Sequence, residues 1–112
     1  MNTKVLGTKG ETLAVDFLKD KKYKIIKQNY VTKIGEIDII AQINDIVVFV
    51  EVKARNTVRF GYPREAINFA KQQKIRKVAT QFMLANKLIN SKVRFDCIEI
   101  LGDQITHIEN CF

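Results

Sequence analysis

Ile46-Val47-Val48-Phe49-Val50-Glu51-Val52-Lys53 begins with the longest uninterrupted apolar run of the chain, five residues, and then alternates charge with valine. A short run rich in β-branched residues reads as a buried strand. It is far below the roughly 20 residues that a membrane-crossing helix needs. Upstream, Asn44-Asp45 is a tight-turn dipeptide, and Glu36 to Gln42 reads as a second strand, so the two segments pair as a hairpin. That register sets Asp38 opposite Glu51. Side chains alternate along a strand, so Lys53 shares the face of Glu51, while Val50 and Val52 turn to the other face and the core.

Two carboxylates directly opposed on neighbouring strands have Cβ atoms about 4.5–5.5 Å apart, where like charges destabilise the pair. A cation between them removes that cost. Oxygen donors without histidine suit a hard divalent ion, Mg²⁺ or Mn²⁺. The candidate ligands are Asp38, Glu51, the backbone carbonyl of Val52 and the carboxylate of Glu11. Such an ion polarises a phosphoryl oxygen and acidifies water. Lys53 would orient that water or stabilise charge developing on phosphorus.

Further out, a first helix is predicted from Lys9 to Asp20, with Thr8 as N-cap and Glu11 completing a T-x-x-E capping box. Leu13, Ala14, Phe17 and Leu18 share one arc of it, and Glu11 sits at the edge of that arc, towards the core. A strand at Lys24 to Tyr30 precedes the Lys33-Ile34-Gly35 turn. After Lys53 come a loop with Phe60-Gly61 and a short helix from Pro63 to about Ala70. A longer helix then repeats Ile75, Val78, Ala79, Phe82 and Met83 at helical spacing. Val93 to Leu101 and Gln104 to Glu109 form a closing hairpin around Gly102-Asp103. The order α, β, β, β, α, β, β predicts a single α/β domain over residues 1–112, with a central mixed β-sheet flanked by α-helices.

Composition removes several chemistries. His107 is the only histidine and Ser91 the only serine, so paired-histidine nucleases and most Cys/His zinc sites lack their parts, and a serine triad would have to use Ser91, whose neighbours Asn90 and Lys92 make nothing like a nucleophile elbow. Neither phosphate-cradling glycine loop occurs. No apolar segment opens the chain, and Cys97 and Cys111 are too few for a disulfide framework. The expectation is therefore a cytoplasmic protein with no membrane association and with both thiols reduced. The net charge is +7, and the stretch Lys53 to Lys77 carries all of this excess, with eight bases against Glu65 alone. A concentrated basic stretch is the electrostatic footprint of phosphate binding. Arg55, Arg59, Lys71 and Lys74 are the candidate nucleic-acid contacts, and Phe60 and Tyr62 could stack on a base. His107 and Asp96 read as structural.

Gly10-Glu11, Asn29-Tyr30, Gly35-Glu36-Ile37-Asp38-Ile39-Ile40, Phe49-Val50-Glu51-Val52-Lys53-Ala54-Arg55, Phe60-Gly61 and Arg94-Phe95-Asp96 together resemble the YraN family of small bacterial proteins over nearly the whole chain. That family is similar to the PD-(D/E)xK nucleases and, within them, to Holliday-junction resolvases. One departure is Ile37, where the superfamily motif has proline. The resemblance implies a restriction-endonuclease-like fold, a metal site at Asp38 and Glu51, a catalytic Lys53 and a helix carboxylate at Glu11. It also implies DNA rather than RNA as partner, with branched DNA by analogy to resolvases. A homodimer is implied where two strands are cut symmetrically, with apolar positions such as Phe82 or Phe112 supplying its interface. Two other readings stay open: a nucleic-acid-binding module without turnover, and a structural protein in which the acids are incidental.

Overall fold

Val47, Val48, Phe49 and Val50 are each at most 1% exposed, which requires a strand covered on both faces. The computed structural model describes the backbone of residues 3–55 and 67–112, and side chains from residue 9 onward within those ranges. Its elements are α1 (Thr3–Asp20), β1 (Lys24–Val31), β2 (Glu36–Ile43), β3 (Ile46–Arg55), α2 (Phe69–Ala85), β4 (Lys92–Leu101) and β5 (Gln104–Ile108). They form one five-stranded sheet in the order β1-β2-β3-β4-β5. All neighbours are antiparallel except β3 and β4, which run parallel. The sheet is therefore mixed, as the element order implies, with β3 at its centre.

Among the described residues, each face carries one helix. On one face α1 buries Ala14, Val15 and Leu18 against Ile39, Ala41, Val48, Val50, Ile98 and Ile100. On the other, α2 buries Ile75, Val78, Ala79, Phe82 and Met83 against Ile37, Ile40, Val47 and Phe49. Phe82 meets Tyr30 and Phe49 edge-on, with ring centroids 5.3 and 6.0 Å away. At 1% exposure it belongs to this core and is not available for a dimer interface. Phe112 stacks on Phe95 at 5.2 Å.

The predicted elements form with altered ends. Helical backbone begins at Thr3, so Thr8 lies inside α1 and not at its N-cap position. Amide groups in that turn already have carbonyls four residues earlier to bond. Gly10 is needed for packing: a Cβ built there would lie 2.6 Å from Ala54 Cβ, so α1 approaches β3 over a bare backbone. The hairpin at Asn44-Asp45 forms with Asn44 at φ 54°, and that at Gly102-Asp103 with Gly102 at φ 61°. Both positive values suit these residue types. α2 begins at Phe69, capped by Asn68, whose Oδ1 accepts from Lys71 N at 2.9 Å. Of the short helix expected from Pro63 to about Ala70, the part up to residue 66 lies outside the described residues, together with Arg59, Phe60, Gly61 and Tyr62; Ile67 and Asn68 are not helical, and Phe69 and Ala70 open α2.

Two features fasten β4. Cys97 is disulfide-bonded to Cys111, so the expectation of two free thiols is corrected. The two cysteines stand 14 residues apart with a Cα–Cα distance of 6.0 Å, a geometry that distance along the chain does not reveal. Asp96, wholly buried, accepts from Arg94 Nε and Nη2 at 2.9 Å each, from His107 Nε2 at 2.7 Å and from Asn110 N at 3.1 Å. Burial works to raise the Asp96 carboxyl, but these donors outweigh it and hold its pKa below the usual value. Lys21 Nζ lies 2.9 Å from His107 Nδ1. An ammonium only donates, so Nδ1 accepts and the His107 proton faces Asp96. The network joins Lys21, just past the end of α1, to β4 and β5, in keeping with the structural role read for Asp96 and His107.

Candidate active site

The β2–β3 hairpin has the expected register, with Ile43 opposite Ile46 and Ile39 opposite Val50, but the ladder ends there. Asp38 and Glu51 are therefore not a ladder pair, and Glu36 does not face Lys53 across it. Ile37 and Ile39, two residues apart, bury in different cores, so alternation breaks at Asp38. Such irregularities re-aim a side chain. Asp38 Oδ2 accepts the Val52 N–H at 2.8 Å, a donor the shortened ladder leaves without a strand partner in β2. The turn before β2 is held by Thr32, whose Oγ1 donates to Gly35 O at 3.0 Å and accepts from Ile34 N at 3.1 Å. Placement of Asp38 thus begins with a threonine six residues earlier.

Burial, and then the charge of Glu51, push the Asp38 carboxyl up to about 7; the Val52 hydrogen bond works against them, and Glu11 and Glu36 add to them. The two acids expected to share a site therefore do share a field. Glu51 is 8% exposed and holds two ammonium groups: Lys71 Nζ lies 2.7 Å and Lys53 Nζ 3.7 Å from its Oε1. Burial, followed by the adjacent Lys71, lowers the Lys53 pKa. For Lys71 burial also acts downward, but the hydrogen bond to Glu51 and its charge prevail and raise the pKa.

Lys53 reaches Glu51 because it lies two residues on along β3. Lys71 reaches it because the Asn68 cap places it in the first turn of α2. It was expected among the phosphate contacts; the fold sets it on the carboxylate. Lys74, exposed, lines a groove of about 430 Å³ between Ile34, Gly35 and Glu36 on one side and Lys71, Lys74 and Ile75 on the other. Arg55 ends β3, where its carbonyl accepts from Gly102 N at 3.1 Å. Arg59 is outside the described residues. Glu11, half-buried, follows Gly10 on α1, and its charge reaches Asp38. Among the described residues, no three acidic, histidine or cysteine side chains converge closely enough to hold a metal ion, so Glu11 is not brought into a common set with Asp38 and Glu51.

Glu99 went unnoticed in the sequence. It is 4% exposed, stands beside Lys53 in the parallel β3–β4 ladder, and its Oε1 has no hydrogen-bond partner. A buried acid in an apolar strand was the available signal; its neighbour depended on the parallel pairing.

The donor chemistry fits a hard cation. Asp38 and Glu51 supply oxygen only, and burial, then the charge of Glu51, disfavour a lone carboxylate at Asp38, a cost that a bound cation would offset. Mg²⁺ is commonly held by one or two carboxylates with water completing its shell.

An α/β domain with a five-stranded mixed sheet between two helices is consistent with a restriction-endonuclease-like fold. The chain belongs to the uncharacterised protein family UPF0102, the YraN-like proteins, whose profile matches residues 10–100. UPF0102 proteins of Clostridioides difficile (strain 630) and Alkaliphilus oremlandii (strain OhILAs) are each 48% identical to it over the full length of both chains. A UPF0102 protein of Fusobacterium nucleatum is 44% identical over 98% of this chain and 92% of its own. No helix among the described residues is long and apolar enough to cross a membrane.

Proposed function

We propose that the protein is a metal-dependent nuclease that hydrolyses DNA phosphodiester bonds, with branched or junction DNA as the favoured form, acting in the cytoplasm where that DNA lies. The observation that carries this reading is that Asp38, held on the Val52 N–H where β2 leaves β3, lies within the field of Glu51, with Lys53 alongside. Asp38 and Glu51 are the residues to hold Mg²⁺ or Mn²⁺, with the Val52 carbonyl and Glu11 as further oxygen donors. When bound, such an ion polarises a phosphoryl oxygen and makes water more acidic.

The chain's own groups do the rest. Lys53 places an ammonium where negative charge grows on the phosphoryl oxygens, and its lowered pKa eases release of a proton to the leaving oxygen. Lys71, which bonds Glu51, and Lys74 line one groove and suit the phosphodiester backbone. A homodimer would present two such sites to the two strands of a junction. A second reading, a nucleic-acid-binding module without turnover, is favoured by one observation: Lys71 already neutralises Glu51.

Labelled duplex, single strand, flap and four-way junction with Mg²⁺ or Mn²⁺ separate the two. Metal-dependent cutting that Glu51→Gln and Lys53→Ala both abolish is the expected result and identifies the substrate shape. Binding without cutting, equal in both variants, would leave the binding module.

A further inference from the structure

Lys71 stands in a place that a cation-binding carboxylate ought to keep open. Its Nζ is the closer of the two ammonium groups on Glu51 Oε1, at 2.7 Å against 3.7 Å for Lys53. Lys53 and Lys71 already crowd each other on Glu51, and a divalent ion on the same carboxylate would add two more positive charges within a few ångströms. Like charges at that spacing repel appreciably even with solvent screening, so one ammonium has to leave.

Geometry decides which. Lys53 is rooted in the central strand, with its side chain 28% exposed. Lys71 is rooted at the first turn of a helix, is 38% exposed, and lines the groove that also carries Lys74. Its backbone is pinned, since its N–H donates to Asn68 Oδ1 at 2.9 Å, so release needs only rotation of a four-carbon stem, with no movement of the helix. The groove, about 430 Å³, has room for it.

We propose that Lys71 is an exchangeable counter-ion: it occupies Glu51 in the metal-free protein, and metal binding displaces it into the groove, where it becomes a contact for a DNA phosphate. This rests on the metal-dependent reading above and adds an order of events to it. Metal comes first, and the Lys71 ammonium joins that of Lys74 as a free charge in the groove only after metal is bound. Glu51 is thereby kept neutralised in the absence of metal, and DNA affinity is coupled to metal occupancy through one side chain.

Calorimetric titration with MnCl₂ and fluorescence anisotropy of a labelled DNA duplex test this without measuring cleavage. Lys71→Met removes the competing ion pair and is expected to bind Mn²⁺ about tenfold more tightly than wild type, the ratio that corresponds to breaking one pair of unit charges at 2.7 Å in water. Lys71→Arg keeps the charge and is expected to bind Mn²⁺ as wild type does. In anisotropy, Ca²⁺, which also takes oxygen donors, should raise the affinity of wild type for the duplex. Lys71→Met should lose that gain, while Lys74→Met should bind more weakly by the same factor with and without Ca²⁺. Unchanged or weaker Mn²⁺ binding in Lys71→Met, or binding in Lys71→Arg as tight as in Lys71→Met, would overturn the exchange and leave the metal site standing. A wild type whose titration is no different from that of Glu51→Gln would remove the metal site and the exchange together.

Discussion

Replacing Asp38 by asparagine should stabilise the metal-free protein, and the gain should depend on pH in a way that identifies its cause. Burial, then Glu51, raise the Asp38 pKa from its ordinary 3.8 to about 7 in the fold. A folded-state pKa above the unfolded one means that protonation favours the native state. The contribution of the neutral carboxyl is complete below about pH 4 and is lost as pH rises through about 7. At pH 8 the wild type carries a partly desolvated carboxylate beside Glu51. Asparagine carries none, and its Oδ1 can still accept the Val52 N–H that Asp38 accepts at 2.8 Å. A shift of about three pKa units corresponds to about 4 kcal/mol in all. Roughly two of those units fall between pH 5 and pH 8, so the advantage of Asp38→Asn should grow by about 2–3 kcal/mol across that interval. For a chain of this size that is roughly 8–12 °C in Tm. Thermal melts of both proteins in EDTA at pH 5, 6, 7 and 8 provide the measurement. A difference in Tm that is the same at every pH, or a variant less stable throughout, would refute the electrostatic account of the site.

Three further outcomes follow from other parts of the fold. Gly10→Ala would gain helix propensity of about 1 kcal/mol in isolation, but its Cβ would meet Ala54 Cβ at 2.6 Å; urea unfolding should show a net loss of about 1–3 kcal/mol, as overpacking demands. Asp96→Ala strands Arg94 and His107 in the interior, and denaturant melts should record a loss of about 3–5 kcal/mol. Cys111→Ser opens the Cys97–Cys111 loop; under oxidising conditions it should cost about 3 kcal/mol by calorimetry, and with excess reductant the variant and wild type should melt together.

Much of this architecture was legible in the order of residues because it depends on local periodicities. Ile46 to Val50 announces a strand covered on both faces, and Asn44-Asp45 sets the hairpin register that the fold keeps from Ile39–Val50 to Ile43–Ile46. Ile75, Val78, Ala79, Phe82 and Met83 recur at helical spacing, and all five are buried on α2. What local pattern could not convey is where a ladder stops. The hairpin rule extends pairing to Asp38 and Glu51, whereas β2 departs from β3 one step earlier and leaves Asp38 to capture the Val52 N–H. The start of α1 was misplaced for a related reason: Thr8 and Glu11 carry a capping signature that is equally compatible with the interior of a longer helix.

The sequence by itself determined which side chains are chemically able to form a site: two acids, a lysine two residues beyond one of them, and a concentration of bases downstream. Those assignments need only residue identity and the two-residue repeat of a strand. Tertiary structure alone decided which charges meet. Lys71 reaches Glu51 because α2 packs on the face of β3 that carries Phe49 and Glu51, 20 positions away in the chain. Glu99 stands beside Lys53 because β4 runs parallel to β3. Cys97 pairs with Cys111 because the chain end returns to β4. Charges interact through space in a medium whose dielectric depends on burial, and neither distance nor burial is a property of neighbours along a chain.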